Sequence, residues 1–163
     1  MKNIKFSRLF AAMMFVAVLS FAGCKQQPEE TKASIYGTWS YENSSWNAYG
    51  DYACQISEDK IETASWGVHN GPVTLVETSD DSGFLYYQIE KNLPLYGGGE
   101  VADSAGKWSA VAYKKLTNES VLMCDIYKDP LTLANSLEEA KTLYTVENHY
   151  FDGLETSVFV RVK

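Results

Sequence analysis

The sequence predicts an all-β domain, an eight-stranded antiparallel barrel with one short helix before the last strand. Three observations carry this. From Ile35 onward, apolar residues alternate with polar ones or come in short runs, and turn residues interrupt them. One stretch, Ser136 to Tyr144, has its apolar residues at helical spacing instead. Most connections are short, which makes the strands antiparallel neighbours, and a sheet of eight such strands hides its edges by closing on itself. A two-sheet sandwich is the competing architecture.

The elements follow in order. In the first strand, Ile35–Tyr41, alternation puts Ile35, Gly37, Trp39 and Tyr41 on one face. The second, Asp51–Ser57, alternates Tyr52, Cys54 and Ile56 with Ala53 and Gln55, and Glu58-Asp59 turns it into the third, Lys60–Gly67. Asn70-Gly71-Pro72 reads as a turn ahead of the fourth strand, Val73–Thr78. Ser79–Gly83 turns the chain into the fifth, Phe84–Lys91. Leu93–Gly106 holds one Pro and four Gly without periodicity and reads as a mobile loop. The sixth strand is Lys107–Leu116, and Thr117-Asn118-Glu119 turns into the seventh, Val121–Tyr127. Ser136 and Glu139 fit a capping box, and Leu137, Ala140, Leu143 and Tyr144 then share a helical face. The last strand is Thr156–Lys163, where alternation alone turns Val158, Val160 and Val162 inward and Phe159 and Arg161 outward.

Ahead of this domain lies an export signal. Lys2, Lys5 and Arg8 precede an apolar run, Leu9–Ala22, and no acidic residue occurs before Glu29. The run has 14 residues, short of the roughly 20 that span a bilayer. Phe21-Ala22-Gly23-Cys24 resembles a bacterial lipobox, of the looser kind found in spirochaetal lipoproteins. The resemblance implies that Cys24 carries a diacylglycerol and begins the mature protein. The expected organisation is a signal peptide over 1–23, a flexible tether over 24–34 (polar, with Pro28) and a barrel domain over 35–163. Lys25 is not the Asp that marks inner-membrane retention in some bacteria, so the expected location is the outer membrane, reached through the lipid.

Charge excludes one class of partner. The chain has 14 basic and 21 acidic residues, and all three basic residues of the signal are lost on cleavage, leaving 11 against 21. Such a surface repels phosphates, so nucleic acid is not expected as a partner. No motif for catalysis, metal or cofactor is present. His69 and His149 stand alone, without a ligand-spaced neighbour. Gly97-Gly98-Gly99 lacks the Lys and helix start of a phosphate loop, and there is no Gly-x-Ser-x-Gly. The acidic residues fall in turns or at outward strand positions, so no enzyme is expected. Cys54 and Cys124 sit mid-strand and are a candidate disulfide, since export permits oxidation. The alternative is two buried thiols.

Gly37-Thr38-Trp39 on the first strand resembles the Gly-x-Trp signature of lipocalins, and Arg161 matches the basic residue that packs on that Trp. Trp108, Tyr113–Thr117, Ser136–Ala140 and Glu147–Phe151 resemble the C-terminal half of a family of small treponemal lipoproteins. The resemblance implies a lipocalin-like barrel closed by Gly37, Trp39 and Arg161, and it implies no activity. The aromatic residues Trp66, Tyr86, Tyr87, Trp108 and Tyr113 lie on strands and Tyr96 in the Gly-rich loop; as the lining of a barrel mouth they would make an apolar pocket, with Trp66, Tyr86, Tyr96, Trp108 and Tyr113 the candidates for a small hydrophobic ligand. A ligand-free interaction module, such as an envelope or adhesion protein or an inhibitor of a basic host lysozyme or protease, is the alternative function.

Overall fold

The computed structural model describes residues 32–42, 54–63, 68–93, 98–128 and 130–163. Within it, Lys32–Lys163 forms one compact unit. The strands are β1 (Gly37–Tyr41), β2 (Cys54–Ile56), β3 (Ile61–Thr63), β4 (Val68–Ser79), β5 (Ser82–Ile89), β6 (Trp108–Lys114), β7 (Ser120–Asp125) and β8 (Val158–Arg161). Each pairs antiparallel with the next, and β8 closes the barrel on β1 through Trp39↔Arg161, Ser40↔Val160 and Tyr41↔Phe159. A helix, α1 (Leu137–Leu143), and a 3-10 turn, Asp152–Glu155, precede β8.

Both faces of the wall formed by β5 to β8 are apolar, and each has its own core. Inside the barrel lie Trp39, Ile56, Ile61, Leu85, Tyr87, Ile89, Tyr113, Val121, Met123 and Phe159. Outside it, Tyr86, Ala110, Ala112 and Leu122 meet Ala140 and Tyr144 of the helical segment and the following Tyr150, Phe151 and Leu154. The small side chains of Ala110 and Ala112 let this covering layer come close to the wall. Tyr144 ties it down. Its buried hydroxyl accepts from the Ala134 N–H at 2.8 Å and lies 2.8 Å and 3.0 Å from the Trp108 and Thr132 carbonyls, to which it donates.

The helix is capped as expected, with one difference. Ser136 Oγ accepts from the Glu139 N–H at 3.1 Å. Glu139 reaches past the cap residue and accepts from the Asn135 N–H at 2.7 Å and from its amide at 2.9 Å.

Three expectations are corrected. Asn70-Gly71-Pro72 is not a turn between strands; it lies inside β4, where the register against β5 shifts between Asn70 and Val73. Pro72 has no N–H to give the ladder, and a bulge is where a strand tolerates that. Gly71 is needed for close approach: a Cβ there would stand 2.3 Å from the Asp59 carbonyl oxygen in the β2–β3 turn. On β8 the faces are reversed: Phe159 points into the barrel, and Val158 packs against the outer core. The outer layer needs apolar residues as much as the lumen does, so alternation could not tell the two faces apart. Finally, the described part of the Gly-rich segment is organised around the buried Ser104. Its Oγ accepts from the Leu93 N–H at 2.8 Å and donates to the Val101 carbonyl at 2.8 Å.

The two ends of the barrel differ. At one, which we call the floor, the strands are joined by tight turns at 57–60, 80–81 and 115–119. The connections 42–53, 64–67, 90–107 and 126–157 all leave from the other end, the mouth.

Candidate functional site

The residues predicted for closure come together at the floor. The Arg161 guanidinium lies over the Trp39 ring, with Cζ 4.2 Å from the ring centroid. Its Nη1 donates to the Tyr36 carbonyl and its Nε to the Asn118 carbonyl, each at 3.0 Å, and Nη2 donates to the Ser34 carbonyl. Trp39 is fully buried, and its Nε1 donates to the Ile35 carbonyl at 2.9 Å. Gly37 makes room for the guanidinium: with φ at 148°, an added Cβ would stand 2.2 Å from Arg161 Nη1. The same contacts shorten the expected tether. Lys32 pairs with Glu77 at 3.0 Å, and Ser34 is held by Arg161, so the chain is docked from Lys32 rather than from Ile35.

The five candidates for ligand lining do not converge. Trp66 and Tyr96 lie outside the described residues, as does the lipidation site Cys24. Tyr86 and Trp108 are in the outer core beneath the helical layer, not in the lumen. Tyr113 is in the lumen, but it is buried at the floor beside Gly83. Cys54 and Cys124 are free thiols on opposite sides of the wall, Cys54 packing on the lumen core and Cys124 on the outer one. The disulfide is therefore corrected to two separate thiols.

The lumen is filled over most of its height. Trp39, Leu85, Ile89 and Val121 are at most 1% exposed, so no cavity is left among them. Its character changes toward the mouth. There β1, β2, β5, β6 and β7 contribute Tyr41, Cys54, Tyr87, Ser109 and Asp125. Asp125 follows Val121 and Met123 at two-residue spacing, which aims it inward with them. A hydrogen bond gives the same answer: the Tyr87 hydroxyl donates to Asp125 Oδ1 at 2.9 Å. Tyr87 is on β5 and Asp125 on β7, so this bond passes across the lumen face of β6.

Water reaches this carboxyl because the wall is incomplete beside it. β8 pairs with β7 only as far as Leu122↔Val158, and one further bond runs from the Met123 N–H to the Ser157 carbonyl at 3.0 Å. Cys124 and Asp125 continue beyond it without a partner from β8. On the other flank of β8, β1 ends at Tyr41, whose ring is 46% exposed and lies 4.5 Å from that of Phe159. The result is a notch between the ends of β7 and β1.

The electrostatics of the notch are one-sided. Burial among protein atoms raises the Asp125 carboxyl to about 6, although hydrogen bonds from Tyr87 and the Ile126 N–H oppose the shift. The residue is nonetheless accessible to water, so the group sits in a wet recess rather than a dry core. Burial also pushes the Cys54 thiol up to about 12, helped by the Asp125 charge. Tyr87 and Tyr41 are raised for the same reasons, burial first. Through the neutral range these three are uncharged, and Asp125 is the group that titrates. No ion pair of Asp125 with a Lys or Arg occurs among the described residues. Lys128, three residues on, donates instead to the Asn148 carbonyl at 3.0 Å and covers the Tyr150 ring.

Asp125 is not among the residues the sequence singles out, whereas Tyr87 is, as one of the strand aromatics. An acid at the end of a strand reads as outward-facing, but the Val121-x-Met123-x-Asp125 spacing carries the opposite signal. The chain matches no protein-family model, no curated protein and no solved structure.

Proposed function

We propose that the chain is a lipid-anchored envelope lipoprotein, held in the outer membrane through Cys24, whose lipocalin-like barrel binds a small, largely apolar ligand at its mouth. One observation carries the binding part. The lumen is apolar and filled from the floor upward, yet at the mouth it ends in a water-accessible carboxyl with no counter-cation among the described residues. A barrel selected for stability alone would continue its apolar packing there, since a partly desolvated carboxylate costs free energy. Apolar walls with one perturbed polar group are the usual make-up of a small-molecule site. The anchor rests on the lipobox-like Phe21-Ala22-Gly23-Cys24, and two or more acyl chains hold a protein stably where one does not.

The filled lower lumen, together with Tyr127 standing 80% exposed, favours the ligand-free interaction module as the second reading. Two experiments decide. Cys24→Ser should abolish labelling with radioactive palmitate and release the protein from the membrane fraction; unchanged labelling removes the anchor. A neutral fluorescent apolar probe should bind the Cys24→Ser protein saturably at one site. Absence of saturable binding across several such probes moves the assignment to the interaction module.

A further inference from the structure

We propose that the notch between β7 and β1 selects a cationic amphiphile, with an alkylammonium head seated on Asp125 and its chain directed into the mouth. This rests on the ligand-binding reading above and adds the charge of the ligand. The carboxylate points into the notch, and one oxygen is held at 2.9 Å by the Tyr87 hydroxyl, which fixes its orientation without neutralising it. Beside it Tyr41 presents a half-exposed ring, and a ring face attracts an ammonium group. The exposed part of that ring, which rests on the buried Phe159, is the apolar surface beside the carboxylate.

What is missing is equally specific. Lys128 is committed to Asn148 and Tyr150. Lys107, in the connection before β6, is held by Asn135, and no described Lys or Arg forms an ion pair with Asp125. An anionic fatty acid would bring a second negative charge to an unpaired first one. A cation instead restores the pairing that a partly desolvated carboxylate lacks.

The ionisable groups facing Asp125 are Tyr87 from β5, Tyr41 from β1 and Cys54 from β2, all raised and uncharged near neutrality. Cys124, its neighbour on β7, is raised as well. Asp152 of the 3-10 turn is engaged by His149 at 3.2 Å. The pH dependence of cation binding therefore belongs to Asp125.

The test uses the full chain with Cys24→Ser in detergent-free buffer. Three ten-carbon probes, decyltrimethylammonium, decanoate and 1-decanol, are titrated below their micelle concentrations and followed by tryptophan fluorescence. Decyltrimethylammonium should bind at least tenfold more tightly than decanoate at pH 7.5. Its own charge is fixed, so its affinity should fall toward tenfold per pH unit below about 6, where Asp125 takes up a proton. Asp125→Asn should abolish both the preference and the pH dependence while 1-decanol binding persists. Equal binding of all three probes, or a cation preference that survives Asp125→Asn, overturns the charge assignment and leaves the ligand-binding reading standing. Failure of every probe to bind overturns that reading itself.

Discussion

Removal of the Arg161 guanidinium should weaken the seam that closes the barrel, and the loss can be worked out from its contacts. Arg161→Met keeps much of the stem and deletes the head. The head covers the Trp39 ring at 4.2 Å, a contact worth about 1 kcal/mol at this partial exposure. Three carbonyls, of Ser34, Tyr36 and Asn118, lose their donor. The part-buried Tyr36 carbonyl should cost about 1 kcal/mol, and the two exposed ones a few tenths each, because water replaces the donor. The sum is about 2–3 kcal/mol. At about 3–5 °C per kcal/mol for a domain of this size, Tm should fall by about 6–15 °C. Trp39→Leu removes the aromatic face and its bond to Ile35 but keeps an apolar side chain in the core. Urea unfolding, followed by circular dichroism, of wild type, both single variants and the double variant forms a closed cycle. The double variant should lose about 1 kcal/mol less than the sum of the singles, because the stacking contact can be lost only once. Strictly additive losses, or an Arg161→Met loss below about 0.5 kcal/mol, would show that the guanidinium does not hold the seam, since exposed arginines commonly contribute no more than that.

Other parts of the structure give further expectations. Tyr144→Phe leaves the Thr132 carbonyl without this donor and the Ala134 N–H and Trp108 carbonyl with only their 3.3 Å bond to each other, and it should cost about 1–2 kcal/mol in the same unfolding assay; a loss under about 0.5 kcal/mol would show that the hydroxyl does not tie the outer layer to the wall. Asp125, raised to about 6, holds a proton in the folded state that the unfolded chain has released above about pH 4. Stability from this group therefore falls as pH rises from about 4 to about 6 and stays level above. The drop should be about 1 kcal/mol once water access is allowed for, and Asp125→Asn should flatten it; parallel profiles for the two proteins would contradict the assignment. Cys54 and Cys124 should both titrate as free thiols in the denatured, unreduced protein, and in the native protein Cys54 should react slowly, since burial keeps its thiolate scarce. A count of no free thiols would restore the disulfide.

Much of the barrel is legible in the sequence because its strands are short and punctuated. Ser79 to Gly83, for example, announces the β4–β5 hairpin through residues that bond one another, with Ser79 Oγ 2.7 Å from Asp81 Oδ1. The Ser136 cap is legible for the same local reason. What local chemistry cannot reveal is which side of a strand faces the lumen once both sides are apolar. That is why Tyr86 and Trp108 read as pocket residues together with Tyr87, although of the three only Tyr87 is inside. It is also why the valines of β8 read as inward. Asn70-Gly71-Pro72 misleads differently. Its residue types do mark a break in the ladder, but the break is a bulge that lets β4 pass the Asp59 carbonyl, a contact set by the tertiary fold. Arg161 runs the other way: the resemblance to lipocalins placed it on Trp39 against the prediction of alternation, and the guanidinium lies there.

Native mass spectrometry of the protein, extracted from the membranes of its own cells and released gently from detergent, tests the central claim most directly. The expected species is a chain that begins at Cys24, heavier than its sequence by acyl groups, and carrying one small molecule with a cationic nitrogen that leaves on collisional activation. A chain with an unmodified Cys24, or an acylated chain that carries no bound molecule in repeated preparations, would contradict it.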